Sequence, residues 1–164
     1  MAKDPWMVPV ATLRRTPGAS RREMRVGKIG QLEVAGTVVE EDSEAKADVI
    51  LCSLDGGVEV SGTVSATWKG HCRRCLVEIA GPVATDVREL YRQRRRRETP
   101  GEDEETYPLD SEMLDLRPLV RDALLLELPL APVCRDDCAG LCVDCGANLN
   151  EGPCACRNLS WPEG

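Results

Sequence analysis

The chain has 164 residues, of which 42% are apolar and 30% charged, and a net charge of −7. It has no Phe, and its aromatic residues are Trp6, Trp68, Tyr91, Tyr107 and Trp161, which predicts an aliphatic core and disfavours an aromatic base-stacking platform for RNA. A lone His71 argues against a His-rich metal site, and no apolar run approaches the ~20 residues needed to span a bilayer.

Residues 1–31 read as a basic, extended N-terminal arm. Pro5, Pro9, Pro17 and Gly18 punctuate it, and it carries Arg14, Arg15, Arg21, Arg22, Arg25 and Lys28. Residues 32–91 read as an antiparallel β core. Leu32–Val39 is a first strand and Val49–Leu54 a second, with Cys52 expected as a small buried apolar side chain. Asp55-Gly56-Gly57 is a hairpin signal. Val58, Val60, Gly62, Val64, Ala66 and Trp68 then alternate with polar residues, the period of a half-buried strand. A tight turn with Cys72 and Cys75 leads into a fourth strand running to Tyr91, with Gly81-Pro82 expected to bulge or break it.

Residues 92–114 read as a charged, flexible loop. Arg92, Arg94, Arg95, Arg96 and Arg97 are followed at once by Glu98 and by Glu102, Asp103, Glu104 and Glu105. Two readings stand: a solvated segment whose charges offset each other, or an Arg block that meets phosphate. Residues 115–129 predict a helix. Asp115 is placed to cap it, Pro118 fits its first turn, and Leu116, Leu119, Val120, Ala123 and Leu124 form an apolar stripe. Residues 130–164 form a cysteine-rich segment packed on the core.

The nine cysteines carry the strongest signal. No secretory signal is visible, so a cytoplasmic, reducing setting is expected, and close Cys pairs then read as metal ligands. The pairs are Cys72/Cys75, Cys134/Cys138, Cys142/Cys145 and Cys154/Cys156. Tetrahedral zinc takes four thiolates, and two thiolates on one short turn converge readily on an ion. Cys142, Cys145, Cys154 and Cys156 are close enough in sequence to form one site. Cys72, Cys75, Cys134 and Cys138 are left to form the other. Two Zn2+ per chain follow, both structural, because four thiolates leave no coordination position for water. The other readings are buried free thiols, a catalytic zinc, His71 as a substitute ligand, and a redox dithiol at Cys72/Cys75 activated by Arg73 and Arg74.

The motif His71-Cys-Arg-Arg-Cys-Leu76 resembles the C-x-R-C-L signature of the YceD family, the large ribosomal RNA subunit accumulation proteins. Ala123-Leu-Leu-Leu-Glu-Leu-Pro129 is similar to that family's helix end, and Cys134 to Cys156 to its cysteine-rich C-terminus. Val143 stands where that family usually has Pro, a mild departure. The resemblance covers about residues 30 to 156. It implies a cytoplasmic bacterial protein, with plastid relatives, needed for accumulation of 23S ribosomal RNA. It carries over no catalytic residues.

The expected class is therefore α+β: an antiparallel sheet or partly open barrel, one packed C-terminal helix, and a zinc-binding C-terminal segment. The expected function is non-enzymatic support of large-subunit assembly. Its partners would be precursor ribosomal RNA, a large-subunit ribosomal protein or the assembling subunit, with no membrane. Arg14, Arg15, Arg21, Arg22, Arg92, Arg94, Arg95, Arg96 and Arg97 are the candidate RNA contacts. The alternatives are a zinc-buffering or zinc-delivery protein and a CxxC thiol oxidoreductase. A nuclease lacks a convincing carboxylate cluster.

Overall fold

Alternation of apolar and polar residues builds the centre of the sheet. A computed structural model describes residues 4–93, 106–110 and 112–158. Its longest strands are β6 (Gly57–His71) and β7 (Glu78–Arg92), the two arms of one hairpin, paired from Gly57↔Arg92 to His71↔Glu78. Val58, Val60, Val64 and Ala66 on β6 are buried, as are Val83, Val87 and Tyr91 on β7. β5 (Glu44–Leu54) pairs with the first half of β6, and β2 (Ser20–Lys28) pairs with β5. Beyond the N-terminal end of β5, the short hairpin of β3 (Leu32–Val34) and β4 (Thr37–Val39) continues the sheet against β6. β8 (Thr106–Pro108) adds a short parallel pairing at the end of β7. The sheet is open rather than closed into a barrel, which decides between the two architectures the sequence allowed.

Helix α2 (Arg117–Glu127) lies on this sheet against β3, β6 and β7. Leu119, Val120 and Leu124 of the predicted stripe are buried, together with Leu116 at its N-cap. Asp115 serves the helix start, because its Oδ1 accepts the Arg117 N–H at 2.9 Å. The far end is fixed where Thr37 Oγ1 donates to Pro129 O at 2.7 Å. Near the start of β6, Gly62 approaches β5 so closely that a Cβ would meet Asp48 O at 2.2 Å. Only glycine fits there, and its φ of 152° is open to glycine alone.

The N-terminal residues differ most from the expected arm. β1 (Met7–Pro9) pairs with β9 (Met113–Asp115), α1 (Ala11–Arg14) follows, and β2 is a full sheet strand. Trp6, Val8, Val10 and Leu13 are buried in the main core, and Trp6 Nε1 donates to Lys28 O at 2.8 Å. The β2 period escapes notice because its half-buried face carries Arg21, Glu23 and Arg25 instead of apolar residues. Glu23 accepts an ion pair from each arginine at 2.7 Å.

Other boundaries shift for similarly local reasons. The single strand expected over Leu32–Val39 is two strands, because Ala35 and Gly36 turn the chain with φ of 49° and 80°. Gly81-Pro82 does not interrupt β7; Pro82 pairs with Thr67 where, among the described residues, β7 has a neighbour on its β6 side only, so a missing N–H is tolerated. Cys52 is half-buried on the outer face, between the inward-facing Leu51 and Ser53, and is not a core residue. The segment expected as a loop over 92–114 contains β8 and β9. Tyr107 of β8 stacks on Tyr91 with ring centroids 5.2 Å apart, and its hydroxyl donates to Asp122 on α2 at 2.8 Å. Residues 94–105 and 111 of that segment lie outside the described residues.

Truncating Trp6 tests whether the N-terminal residues belong to the core. Trp6→Ala should cost about 3–5 kcal/mol in urea unfolding, as for a large buried aromatic. A loss below about 1 kcal/mol would return residues 1–31 to the status of an appended arm.

Candidate metal centres

The first cluster is built at the tip of the β6–β7 hairpin. Cys72 N–H donates to Val77 O at 2.9 Å, and Leu76 N–H donates to Cys72 O at 2.9 Å. That turn aims both thiols the same way and holds Leu76 at φ 60°. The chain returns to it after α2. Arg73 N–H donates to Pro132 O, Leu141 N–H donates to Arg74 O, and Arg74 Nη1 donates to Asp136 O and Cys138 O. The sulfurs of Cys72, Cys75, Cys134 and Cys138 are thereby gathered within 4.8 Å of one another. Cys72, Cys75 and Cys138 are buried, packed by Ile79, Val133 and Leu141, and Cys134 is exposed.

The second cluster repeats the turn. Cys142 N–H donates to Ala147 O at 2.8 Å and Gly146 N–H donates to Cys142 O at 2.9 Å, the same two bonds at the same offsets. Here the left-handed position is Gly146, at φ 73°. Cys142, Cys145, Cys154 and Cys156 also lie within 4.8 Å of one another. None of these four is buried. Among the described residues these two groups are the cysteine clusters, and His71, on the exposed end of β6, belongs to neither.

The spacing fits a tetrahedral ion. A metal about 2.3 Å from four sulfurs sets them about 3.8 Å apart. Cys72 and Cys138 sulfurs are 3.7 Å apart and those of Cys75 and Cys134 are 3.6 Å apart. A disulfide would need about 2.05 Å. Two four-cysteine groups that could hold metal ions are therefore present, and all nine cysteines are free of disulfides.

The electrostatics of four gathered thiols favour a cation. At Cys72, burial opposes ionisation, but the N–H groups of Cys75, Cys134 and Arg74 outweigh it and bring the thiol down to about 6. Lost hydration and the neighbouring thiols push Cys134 up to about 12. The second cluster divides in the same way. The N–H groups of Cys145 and Asp144 lower Cys142 to about 7, while Cys145, together with lost hydration, raises Cys156 to about 12. One ionised sulfur keeps its neighbours protonated, and a divalent cation removes that repulsion.

The basic residues are less concentrated than the sequence suggests. Arg22 is paired with Asp48 at 2.7 Å, and Arg21 with Glu23. Arg14 Nη2 donates to Gln93 Oε1 at 3.2 Å, which places the end of α1 beside the start of the arginine block. Arg15 and Arg92 are exposed. Arg94, Arg95, Arg96 and Arg97 lie outside the described residues. The sequence singles out Arg74 only as a neighbour of the thiols and not for the side chain that stitches the two halves of the first cluster together, and it gives no sign of Asn150, whose amide reaches Cys138 Sγ at 3.4 Å.

The sequence model of large ribosomal RNA subunit accumulation protein YceD matches residues 60–161, a span that includes all eight clustered cysteines. The chain belongs to the YceD family. An uncharacterised protein of Mycobacterium tuberculosis is 37% identical over 153 residues, covering 92% of this chain and 73% of its own. One from Mycobacterium leprae is 32% identical over 149 residues, covering 89% and 68%. The YceD family name also appears in a plant relative. The chloroplastic large ribosomal RNA subunit accumulation protein YCED homolog 1 of Arabidopsis thaliana is 36% identical over 55 residues, 34% of this chain and 17% of its own. No solved structure matches the chain.

Metal binding should release protons. Cys75 and Cys134 in one cluster, and Cys154 and Cys156 in the other, are all raised above the ordinary thiol range and are protonated at neutral pH. Each ion bound at pH 7 should therefore expel at least two protons, read by calorimetry in buffers of different ionisation enthalpy. Protons compete with metal for the same sulfurs, so metal affinity should fall as pH is lowered, and more steeply below the Cys72 value of about 6. Binding enthalpies independent of buffer would contradict this assignment.

Proposed function

We propose that the chain is a non-enzymatic factor supporting 23S ribosomal RNA accumulation and large-subunit assembly in the cytoplasm, held in shape by two structural zinc ions. The family match carries the reading, since the family is named for accumulation of the large-subunit RNA. Its plant relatives bear the same description. The four-thiolate clusters support a structural role for zinc, because a shell of four sulfurs leaves no open position at the metal. Among the described residues, no helix is long and apolar enough to cross a membrane.

The partner is precursor ribosomal RNA, a large-subunit ribosomal protein or the assembling subunit. For RNA, the contact would draw on Arg14, which already donates to Gln93, on Arg15 and Arg92, and on Arg94, Arg95, Arg96 and Arg97. Arg21 and Arg22 would first have to give up Glu23 and Asp48. On a chain of net charge −7, only such a local patch attracts phosphate. The second reading is zinc buffering or delivery, favoured by the exposure of the Cys142–Cys156 cluster. A thiol oxidoreductase at Cys72/Cys75 is less favoured, because Cys72 is wholly buried and shares its cluster with two further thiols.

Replacing Arg92, Arg94, Arg95, Arg96 and Arg97 with Gln should weaken association with large-subunit precursors and flatten its salt dependence, with both zinc ions retained. In cells lacking the protein, 23S RNA should fall relative to 16S RNA. Wild type should restore it and Cys75→Ser should not. Unchanged 23S levels in the deletion strain would refute the proposed function. An RNase-resistant association with an unaltered salt slope would assign the contact to protein.

A further inference from the structure

Asn150 sits in the eight-residue link, 146–153, between the two ligand pairs of the second cluster, yet its side chain is spent on the first. Its Nδ2 donates to Cys138 Sγ at 3.4 Å and to Asn148 Oδ1 at 2.8 Å. Its Oδ1 accepts from Ala139 N–H at 2.8 Å and from Arg135 Nη2 at 2.7 Å. The two donors on Oδ1 fix the orientation of the amide, because a flipped group would set its NH2 against two other donors. The link is also pinned by its backbone. Leu149 N–H donates to Gly140 O at 2.9 Å, and Asn148 forms a β-bridge with Leu141.

We propose that Asn150 is a positioning residue that couples the two metal centres, so that filling one cluster raises the affinity of the other. The inference rests on the two-zinc reading. Cys145 and Cys154 anchor the two ends of the link, so an ion in the second cluster orders it and presents Asn150 to Cys138. The amide then donates to one sulfur of the first cluster and fixes the Arg135–Ala139 backbone around that sulfur. A thiolate that accepts this bond is oriented before its metal arrives, and such outer contacts commonly change metal affinity by about 10–100-fold. The coupling is reciprocal: an ion in the first cluster fixes Cys138, and through Asn150 it steadies the link that the second cluster must close.

The test is native mass spectrometry of the full chain titrated with zinc alone. In wild type at half-loading, chains carrying one zinc should fall below the roughly one-half expected of two equal, independent sites. Asn150→Ala should let the one-zinc form accumulate and lower the affinity of the first cluster by about 10-fold. Asn150→Asp covers the case in which Ala disorders the link. It keeps the acceptor for Ala139 and Arg135 but turns a carboxylate toward Cys138, so it should also uncouple the sites. Cobalt held by the first cluster should show a thiolate charge-transfer band that shifts with Asn150→Asp when the second cluster is filled, and shifts less in a Cys145→Ser background, where the link is not ordered by an ion. Equal one-zinc populations in wild type and both Asn150 variants would overturn the coupling while leaving the two-zinc reading intact. A wild type that binds fewer than two ions would overturn that reading, and the coupling with it.

Discussion

The meeting of Cys72 and Cys75 with Cys134 and Cys138 is the constraint on which the arrangement of the chain depends. Two of these thiols sit at the tip of the longest hairpin and two follow the helix, with 58 residues between the inner pair. Bringing them within 4.8 Å closes a loop that contains β7, β8, β9 and α2. The α2 stripe and the Thr37–Pro129 hydrogen bond point the helix at the sheet, and the thiol cluster fixes where the following segment lands. A buried, ionised Cys72 is costly without a compensating charge, so the cluster that closes the fold is also the one that most favours a cation.

The two clusters use one turn for different ends. In both, the first cysteine exchanges the same pair of backbone bonds with residues four and five positions on. In the first, the left-handed position holds Leu76, a strained conformation for a side chain, supported by the Pro132 and Leu141 bonds to Arg73 and Arg74. In the second it holds Gly146, which needs no such support. The first cluster has three of its four thiols buried and joins distant segments, whereas the second has none buried and closes a local loop. Loss of the first should therefore disturb the helix–sheet packing, and loss of the second should stay near the C-terminal segment.

What the sequence disclosed was local and periodic. The β6 and β7 alternation, the α2 stripe and the close cysteine pairs are patterns within a few residues of each other, and the structure forms these strands and this helix and gathers the pairs into two groups of four. β2 was hidden because Arg21, Glu23 and Arg25 satisfy each other by ion pairing, so the strand needs no apolar period. Trp6 was hidden because a single aromatic near several prolines has no period, although it is fully buried. Cys52 is half-buried rather than in the core, and a strand rich in Val, Ile and Leu does not show which face is covered. Asn150 had no sequence signal at all, since its role depends on a loop folding back onto Cys138. The same holds for Arg14, whose nearness to the arginine block is created by the sheet.

Which cysteines share an ion decides how the chain closes on itself. Cadmium-113 substitution with proton–cadmium correlation spectra reads this directly, because each cysteine β-proton couples to the ion its sulfur holds. Two cadmium signals are expected, one correlated with Cys72, Cys75, Cys134 and Cys138 and the other with Cys142, Cys145, Cys154 and Cys156. Correlation of Cys72 or Cys75 with the same cadmium as Cys142 or Cys145, or a single cadmium signal, would contradict this grouping.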